Sequence, residues 1–477
     1  MIRKILIANR GEVAVRIQRA CAEMEIATVA VYTDADRDAL HVRKADDAVY
    51  VGSDPVRGYL DIDRLADLAQ SSECDAVHPG YGFLSENPQF AQACAQRGVV
   101  FVGPPAEVIA RMGNKIEARR TMQAAGIPVV PGSPRCLRDV DEAADMARSV
   151  GYPIMLKAAS GGGGRGIRRC SDEAELRRAY VRTVSEATKA FGHVEVFLEK
   201  AVIGPRHIEV QILADKLGNA IHLFERDCSI QRRHQKLIEI APSPQLTEEQ
   251  RREVCALGVR AARAAGYENA GTVEFLLDSD GRFYFMEMNT RLQVEHTVTE
   301  EITGVDIVRE QIRIADGQPL SYRQEEIHYH GHAIQFRINA EDPKNDFAPS
   351  FGRIARYQTT DGPGVRIDTA IYAGYELPLW FDSLCAKLTV WAATWETALA
   401  RARRALGEFE LLGVETTKAF YQQILGSPDF REARFDTAFI ERHPELLKYT
   451  NLHPDSKLAA VIAAAVTAYQ GQQVSGR

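Results

Sequence analysis

The dipeptide Asp280-Gly281 separates two segments of alternating apolar and polar residues, 272–279 and 282–289. Asp-Gly favours a two-residue turn, so the pattern predicts a β-hairpin. With this turn central, counting outward along both strands places Glu274 directly opposite Glu287. One face of the hairpin is apolar and is predicted to be core; it carries Val273, Phe275, Leu277, Tyr284, Met286 and Met288.

The opposite face of this hairpin carries two carboxylates that would lie about 5 Å apart. Opposed like charges destabilise a sheet, and a divalent cation removes that penalty. Magnesium prefers oxygen ligands combined with substrate phosphates. We therefore predict a magnesium site formed by Glu274, Glu287 and Asn289. The alternative is a solvated face, since a slip of one residue in register would separate the two acids.

The polar side chains continue at every odd position from Glu287 to Glu295. If this run stays extended, metal ligands, a cation, an amide and a carboxylate share one side. Arg291 and Gln293 are candidates to hold a small oxyanion such as bicarbonate, because a planar guanidinium matches a carboxylate-like group. Glu295 would then accept a proton from that anion. The alternative is an amphipathic edge strand without a ligand.

A glycine-rich loop follows Lys157 and reads Ser160-Gly-Gly-Gly-Gly-Arg165-Gly166. Successive glycines let backbone N–H groups close over phosphate oxygens, and Lys157 can neutralise their charge. The loop formally contains GxGxxG, but β-prone Ile167 follows where a dinucleotide site needs a helix. A loop between two strands is typical of a flexible lid over ATP; a simple linker is the alternative.

Two further features are basic. The segment from Gln231 to Lys236 contains two arginines, a histidine and a lysine between predicted strands, and it is either a solvated loop or a contact for nucleotide ribose and phosphates. Arg337 lies in an apolar predicted strand, 333–338. A buried arginine must be paired, and Glu341 or Asp342 are its candidate structural partners.

The length of 477 residues indicates about two to four domains. Residues 1–112 are predicted to form a doubly wound α/β domain with a parallel sheet, because a strand at 4–8, a helix at 12–24 and a strand at 27–32 have βαβ spacing. The first turn, residues 9–12, lacks a dinucleotide fingerprint. The remaining predicted units are an α+β central domain at 113–330 with a lid at about 132–202, a C-terminal mixed β domain at 331–447, and an Ala-rich helical tail at 448–477.

Composition narrows the functional class and the compartment. A net charge of -7 argues against nucleic acid as the main partner. The eight cysteines are scattered without a CxxC pair, which is typical of reduced thiols. The apolar runs are too short for a signal peptide or a membrane span. We expect a cytoplasmic protein that does not associate with membranes.

Six segments, in this order, resemble the biotin carboxylase subunit or domain of biotin-dependent carboxylases, which has an ATP-grasp fold. The segments are Ile7–Glu12, His78–Asn87, the glycine loop, Glu225–Ser229, Glu287–Arg291 and Arg337–Pro343. The resemblance as a whole runs from Met1 to about Tyr449. The resemblance implies an ATP-dependent ligase that makes carboxyphosphate from bicarbonate and ATP and carboxylates biotin. It also implies a central ATP-grasp domain with a mobile lid, and Mg²⁺ or Mn²⁺, two ions being expected.

The resemblance also implies roles for individual residues. ATP would be bound by Lys115, Lys157, Gly162, Gly163, Gly164, Glu199, Lys200, Val202, His207, Gln231 and His234. Bicarbonate would be bound by Lys236, Arg291, Gln293 and the Val294 backbone, and the metal by Glu274, Glu287 and Asn289. The catalytic set would be Glu295, Arg337, Arg291 and Lys236, with Glu295 as general base and Arg337 stabilising the biotin enolate.

The sequence departs from the biotin carboxylases of bacterial acetyl-CoA carboxylase at Ile167, Thr297 and Gln335, where they usually have methionine, proline and glutamate. The segment 295–301, Gln335-Phe336-Arg337 and the Ala-rich tail instead resemble the biotin carboxylase subunit of two-subunit pyruvate carboxylases. The chain contains no Ala-Met-Lys-Met biotinylation segment. We therefore expect biotin on a separate carrier polypeptide, a carboxyltransferase partner, and a homodimer or larger assembly.

The sequence pattern is also compatible with other functions. The acceptor served by the enzyme could be acetyl-CoA, propionyl-CoA or 2-oxoglutarate instead of pyruvate. Another ligase of the same fold, acting on a purine precursor or a D-amino acid, would not need Arg337. A nicotinamide oxidoreductase would bind NAD and ignore bicarbonate. A non-catalytic ATP sensor is disfavoured by the intact set from Glu274 to Glu295.

Overall fold

The computed structural model describes residues 1–158, 167–191 and 196–449, together with 461–462 and 465. Gly162, Gly163 and Gly164, which are predicted to contact ATP, lie outside the described residues. Nearly all of the predicted tail at 448–477 lies outside them as well.

The N-terminal region has its strands and helices where the βαβ pattern predicts them. Its elements are β1 (Lys4–Ile7), α1 (Gly11–Glu23), β2 (Ala27–Thr33), α2 (Leu40–Lys44), β3 (Asp47–Gly52), α3 (Ile62–Ser71), β4 (Ala76–His78), α4 (Pro88–Gln96) and β5 (Val100–Phe101). The strands form a parallel sheet in the order β3-β2-β1-β4-β5. Ile5 and Ile7 pack toward α1 on one face of the sheet, and Leu6 packs toward α3 and α4 on the other. The doubly wound arrangement is therefore confirmed.

A small antiparallel sheet follows. The elements are α5 (Ala106–Gly113), α6 (Lys115–Ala124), α7 (Val140–Val150), β6 (Ile154–Ala158), β7 (Ile167–Cys170), α8 (Glu173–Phe191) and β8 (Val196–Lys200). The strand order is β7-β6-β8, and Lys157 pairs with Ile167. The glycine-rich loop thus joins two strands, as the sequence predicts, and no helix opens directly after it. Leu156 and Leu198 bury the inner face of this sheet against α7 and α8.

The central region is built on long antiparallel strands. Its elements are β9 (Arg206–Ala214), β10 (Ala220–Arg232), β11 (Gln235–Ala241), α9 (Glu248–Ala265), β12 (Asn269–Leu277), β13 (Phe283–Asn289), α10 (His296–Thr303), α11 (Ile307–Ala315) and β14 (His332–Asn339). Thr247 and Gln250 form a capping box at the start of α9, which satisfies N–H groups that the helix leaves free. The apolar face of β9 and β12 packs on α9.

The C-terminal region extends the same sheet. Its elements are β15 (Glu341–Asp342), β16 (Ala348–Pro349), β17 (Arg356–Gln358), β18 (Val365–Thr369), β19 (Leu384–Ala392), α12 (Trp395–Glu408), β20 (Glu410–Leu412), α13 (Lys418–Gly426), α14 (Pro428–Arg431) and α15 (Phe439–Arg442). Because β11 pairs with β14, the order β13-β12-β9-β10-β11-β14-β19-β18 runs unbroken from the central to the C-terminal region. Polar side chains far apart in sequence thereby meet on one face of this sheet. None of the helices in the described part of the chain has the length and apolar character needed to span a bilayer.

Candidate active site

The β12–β13 hairpin places Glu274 opposite Glu287, as the count from the turn predicts. The turn itself differs from the prediction. Asp278 closes a longer loop, and its Oδ1 accepts N–H bonds from Asp280 and Arg282. Near the turn Leu277 pairs with Phe283, and a bulge after Phe285 restores the expected register at the two acids.

This bulge changes which residues of β13 form the core. Tyr284 and Met286, predicted to be core, are only partly buried, whereas Phe283 and Phe285 are buried against β12. A shift of one residue moves side chains to the other face of a strand. The prediction was therefore wrong for the outer half of β13 and right for Val273, Phe275, Leu277 and Met288.

Glu274 is the best-paired acid of the predicted metal set. Its Oε1 accepts from Lys236 Nζ at 2.8 Å and from Asn289 Nδ2 at 2.9 Å. Its Oε2 lies 2.9 Å from His207 Nε2. Burial opposes its ionisation, but Lys236 and His207 hold the pKa of Glu274 well below its usual range.

Glu287 has the opposite electrostatic environment. Burial and the neighbouring Glu274 raise its pKa, and the positive charge of Lys115 only partly offsets them. Within the described part of the chain no salt bridge reaches Glu287. An uncompensated carboxylate beside a second carboxylate and an amide oxygen is a donor set that suits Mg²⁺. The residues Glu274, Glu287 and Asn289 therefore fit the predicted ion.

Lys236 is the centre of the charge network. Its Nζ donates to Glu209 at 2.5 Å, to Glu274 at 2.8 Å and to Glu295 at 2.7 Å. An ammonium group has three N–H donors, so each carboxylate takes one. Burial opposes the charge, but the three acids raise the pKa of Lys236 well above its usual value. The lysine is therefore charged at any physiological pH.

Glu295 is fully buried and precedes α10. In addition to Lys236, it binds Arg337 through Oε2 at 2.9 Å. Burial opposes its ionisation, yet Lys236 and Arg337 hold the pKa of Glu295 far below the usual carboxyl range. This carboxylate is ionised, and its basicity depends on whether the two cations remain in contact with it.

Arg337 pairs with acids that the sequence alone did not indicate. Its Nε donates to Glu239 on β11 at 2.5 Å and its Nη2 to Glu295. The predicted partners Glu341 and Asp342 do not bind it; Glu341 instead accepts from Ser383 at 2.5 Å. The prediction of these partners was wrong because it considered only acids close to Arg337 in sequence. Glu239 lies close to Arg337 because β11 and β14 are neighbours in the sheet.

The run after Asn289 does not stay extended, so the predicted extension through Glu295 was wrong. β13 ends at Asn289 and α10 begins at His296. Arg291 nevertheless donates to Asn289 Oδ1 and to Gln293 Oε1, each at 3.1 Å. The buried Nε2 of Gln293 has no partner among the described residues. A buried amide donor without a partner beside a guanidinium is a suitable environment for a small oxyanion.

The predicted nucleotide residues lie on two facing parts of the fold. Lys157 on β6 forms an ion pair with Glu199 on β8, and Glu199 also accepts from Arg119 at 2.6 Å. The Nζ of Lys200 donates to the carbonyls of Gly151 and Tyr152. The other members of the set are placed at the start of α6 (Lys115), in the loop after β8 (Val202), on β9 (His207), on β10 (Gln231) and in the β10–β11 turn (His234).

The β10–β11 turn is strained. Arg233 and His234 both have positive φ, +48° and +66°, a conformation that glycine or asparagine usually supplies in such a turn. Both Arg233 and its neighbour Arg232 bind Asp346. Strained backbone of this kind concentrates at functional sites, and here it directs the chain into β11, which carries Lys236.

Four charged residues of the site were missed from the sequence: Glu86, Glu209, Arg226 and Glu239. Glu209 could have been predicted from the sequence, because His207, Glu209 and Gln211 alternate with apolar residues along β9. Glu86 binds Arg291 at 2.8 Å from a distant loop. No local pattern marks that contact.

Arg226 is fully buried beneath Glu209. It forms an ion pair with that acid and donates to Gln211 at 2.7 Å, to Thr299 at 2.9 Å and to Thr272 at 3.1 Å. It thus ties together β9, β12 and α10. Its role is to hold Glu209 in position below Lys236.

We expect Arg226→Met to lower the stability of the central region by about 3–5 kcal/mol, because it leaves Glu209 buried with one cation fewer. Arg232→Met, which removes a more exposed pair, should change stability by less than about 1 kcal/mol. Urea denaturation followed by tryptophan fluorescence and circular dichroism measures both. Equal midpoints for the two variants would contradict the structural role of Arg226.

Three consecutive segments of the chain match known families. Residues 1–109 match the biotin carboxylase N-terminal domain. Residues 114–323 match the ATP-binding domain of the carbamoyl-phosphate synthase L chain. Residues 335–442 match the biotin carboxylase C-terminal domain.

Three relatives are similar to this chain over nine-tenths or more of their own length. The chain is 51% identical over 471 residues to the 2-oxoglutarate carboxylase small subunit of Hydrogenobacter thermophilus, covering 99% of this chain and 100% of the relative. It is 50% identical over 444 residues to a pyruvate carboxylase subunit of Methanothermobacter thermautotrophicus, covering 93% and 90%. It is 51% identical over 439 residues to biotin carboxylase of Nostoc sp., covering 92% and 98%.

Solved structures agree with this similarity. The biotin carboxylase domain dimer of the Hydrogenobacter thermophilus 2-oxoglutarate carboxylase, in complex with MgADP, ADP and bicarbonate, has a TM-score of 0.93 at 52% identity and covers 94% of this chain and 100% of that one. An ATP complex of biotin carboxylase from Campylobacter jejuni has a TM-score of 0.90 at 45% identity and covers 93% and 99%. The predicted fold class, with a parallel N-terminal sheet, an ATP-grasp centre and a C-terminal mixed domain, is confirmed.

Proposed function

This chain belongs to the biotin carboxylase family of ATP-dependent ligases, and we propose that it carboxylates biotin on a separate carrier polypeptide, as the biotin carboxylase subunit of a two-subunit pyruvate carboxylase. In the first step an oxygen of bicarbonate, whose proton passes to Glu295, attacks the γ-phosphorus of ATP, and the bond from that phosphorus to ADP breaks, which leaves carboxyphosphate and ADP. In the second step carboxyphosphate breaks down to carbon dioxide and phosphate. The ureido nitrogen of biotin gives its proton to that phosphate and bonds to the carbon dioxide. The ADP, magnesium and bicarbonate present in a structure with a TM-score of 0.93 support ATP, Mg²⁺ and bicarbonate as the ligands of this chain.

The observation that carries the proposal is the position of Lys236. One ammonium group contacts both Glu274, which we assign to the metal, and Glu295, which we assign as the base, at 2.8 and 2.7 Å. Nucleotide chemistry and proton transfer are therefore coupled through one side chain. Phosphoryl transfer depends mainly on positioning and charge neutralisation, which this arrangement supplies.

The same contact explains how a carboxylate with a lowered pKa can act as a base. Lys236 and Arg337 hold the pKa of Glu295 low while they remain bound to it. When Lys236 turns toward the γ-phosphate of ATP, Glu295 loses a counter-charge and becomes more basic. Glu295 then accepts a proton from bicarbonate only when nucleotide is present, which couples deprotonation of bicarbonate to phosphoryl transfer.

Bicarbonate is assigned to Arg291, Gln293, Lys236 and the Val294 backbone. Arg291 is held by Glu86, and Gln293 Nε2, which has no partner in the described part of the chain, supplies a donor beside it. Arg337 lies on the other side of Glu295 and is assigned to the biotin enolate, whose negative charge a guanidinium stabilises. Exclusion of water from the site by bound substrates would also protect short-lived carboxyphosphate from hydrolysis.

The phosphates of ATP are assigned to Lys115, Lys157 and the glycine loop, with the adenine near Glu199, Lys200 and Val202 and the ribose near His207, Gln231 and His234. Glu274, Glu287 and Asn289 would hold Mg²⁺, with a second ion expected. Bound magnesium neutralises phosphate charge in the transition state. The side chains of this chain orient the substrates, and Glu295 is the general base.

We propose the domain division 1–112, 113–330 and 331–447, with a lid at about 132–202 and a tail at 448–477. A homodimer is part of the same proposal, and the dimer described for the Hydrogenobacter thermophilus domain supports it. Two of the relatives are named as single subunits of larger carboxylases, which supports a separate carrier and carboxyltransferase. The cytoplasmic location stays a prediction.

The first test is ATP cleavage by the purified chain with Mg²⁺, with and without bicarbonate and free biotin. We expect ATP turnover to require bicarbonate and free biotin to be carboxylated slowly, because no carrier positions it. NAD should have no effect on this turnover. ATP cleavage that is indifferent to bicarbonate would contradict the proposed function.

The second test identifies the acceptor. The chain, tagged, is purified together with biotinylated protein from its own cells, and the complex is assayed with pyruvate, 2-oxoglutarate, acetyl-CoA and propionyl-CoA. We expect carboxylation of pyruvate. A 2-oxoglutarate carboxylase is the second candidate. The alignment with the small subunit of that enzyme covers 99% of this chain, whereas the alignment with the pyruvate carboxylase subunit covers 93%. Turnover of 2-oxoglutarate alone would select it.

A further inference from the structure

A buried lysine outside the assigned catalytic set contacts the chain immediately before Glu295. Lys387 on β19 has no exposed surface. Its Nζ donates to the carbonyl oxygen of Val294 at 3.0 Å and lies 3.0 Å from Glu12 Oε2 on α1. Tyr81 donates its hydroxyl to the other oxygen of Glu12. One side chain thus connects the N-terminal region, the C-terminal sheet and the turn that carries the base.

The sheet register explains why Lys387 reaches this point. Lys387 lies directly opposite Arg337 in the β14–β19 pair, and directly opposed residues share a face. Arg337 binds the carboxylate of Glu295, and Lys387 binds the carbonyl of the preceding residue. Two neighbouring cations of one sheet therefore hold two consecutive residues.

The next pair of opposed residues on the same face also contacts this segment. Gln335 lies opposite Thr389, and both of their side chains bind the hydroxyl of Thr297. The segment 294–297 is therefore attached to β14 and β19 at three successive points.

The charge of Lys387 is costly to bury, and nearby carboxylates balance it. Glu12 is its closest acid, and Asp368 lies opposite it on β18 with its carboxylate bound to Arg366. Burial raises the pKa of Glu12 to about 7, even though Lys387 lowers it. A buried ion pair is weak support for stability compared with apolar residues of the same size. A role in the active site therefore explains the buried pair of Lys387 and Glu12 better than packing does.

We propose that Lys387 is a positioning residue for the reaction, which fixes the peptide plane between Val294 and Glu295. Glu12 holds its ammonium group, and Tyr81 in turn holds Glu12. The carbonyl of Val294 and the N–H of Glu295 belong to one planar unit. Anchoring this carbonyl therefore sets the direction in which the Glu295 side chain leaves the backbone, and it presents the Val294 backbone to bicarbonate. This inference rests on the proposed function.

The test uses the double variant Lys387→Met/Glu12→Gln, which removes the ammonium group without leaving Glu12 as an unpaired buried charge. We expect kcat for bicarbonate-dependent ATP cleavage to fall about ten- to a hundredfold, because small displacements of a catalytic group are this costly. The KM for bicarbonate should rise, whereas the KM for MgATP should stay within about twofold of the parent value. Unchanged kcat and bicarbonate KM would overturn the proposal, as would an equal rise in both KM values.

The control is Lys418→Met, which removes another lysine that donates to a backbone carbonyl, that of Phe409, within the C-terminal region. Its kinetic constants should match those of the parent. If the double variant does not fold, Glu12→Gln alone carries the test, with the same split of KM values and a fall in kcat of about threefold.

Hydrogen exchange provides a readout that does not depend on activity. Peptides covering residues 291–297 should exchange faster in the double variant than in the parent, while peptides from α9 should not change. Unchanged exchange at 291–297 would overturn the positioning role. A parent protein without bicarbonate-dependent ATP cleavage would contradict the proposed function instead, and that result is visible before any variant is compared.

Discussion

Replacement of Glu295 by glutamine is expected to lower biotin carboxylation by about 100- to 10,000-fold, the range that general base catalysis supplies. The KM for MgATP should change little, because Lys236 keeps its contacts with Glu209 and Glu274. Glutamine keeps the size of the side chain but cannot accept a proton from bicarbonate. It also turns an amide N–H toward Lys236 or Arg337, which are both donors.

The measurement is fixation of labelled bicarbonate with free biotin, together with the MgATP concentration dependence. Glu326→Gln is the control, since Glu326 is exposed and binds only its neighbour Arg323 in the described part of the chain. Its activity should equal that of the parent. Retention of more than about a tenth of the carboxylation rate in Glu295→Gln would remove Glu295 from the role of general base.

The local part of this site was accessible from the sequence. Alternation and the Asp280-Gly281 turn placed Glu274 opposite Glu287, because pairing in a hairpin depends on residues that are close in the chain. The bulge after Phe285 was not accessible. The side chains that it exposes and buries are all apolar or aromatic, so that either register reads as a plausible core.

The long-range part of the site required the structure. Lys236, Glu239 and Arg337 come from strands β11 and β14, which are neighbours only through the order of the sheet. Hydrophobic periodicity predicts that a strand exists but does not predict which strand lies beside it. For this reason Arg337 was predicted to pair with nearby acids and Glu239 was overlooked, although the residue types were visible.

The start of α10 at His296 was missed for a related reason. Residues 287–295 alternate like a strand, and the pattern favoured extension through Glu295. The strand stops at Asn289 because Thr290 and Arg291 bind Glu86 of a distant loop. Lys387 donates a hydrogen bond to the Val294 carbonyl further along this segment. Tertiary contacts therefore decide where this element ends.

The second large effect is expected for Glu287→Gln, which should lower kcat/KM for MgATP by about 100-fold or more, because it removes a charged ligand of the proposed metal site. The apparent requirement for Mg²⁺ should rise at the same time. Without metal, however, the variant should be more stable than the parent. Burial and Glu274 raise the pKa of Glu287, and relief of repulsion between directly opposed acids is worth up to about 1 kcal/mol.

The sign of this stability change depends on pH. A raised pKa in the folded state means that ionised Glu287 disfavours folding, so the gain from glutamine should be present at neutral pH. It should vanish below the ordinary carboxyl range, where Glu287 is protonated in both folded and unfolded states. Thermal denaturation midpoints in EDTA at pH 7 and near pH 3 measure the difference.

Glu274→Gln is the matched comparison on the opposite strand. It should lose a similar amount of activity, but it should lower stability by about 3 kcal/mol, because Lys236 and His207 lose the acid that pairs with them. Burial opposes the charge of Glu274, but Lys236 and His207 hold its pKa well below its usual range. Two acids that face each other in one hairpin should thus move stability in opposite directions while both are needed for catalysis. If both variants moved the EDTA midpoint in the same direction, the division of the pair into a lysine-bound acid and an uncompensated metal ligand would be wrong.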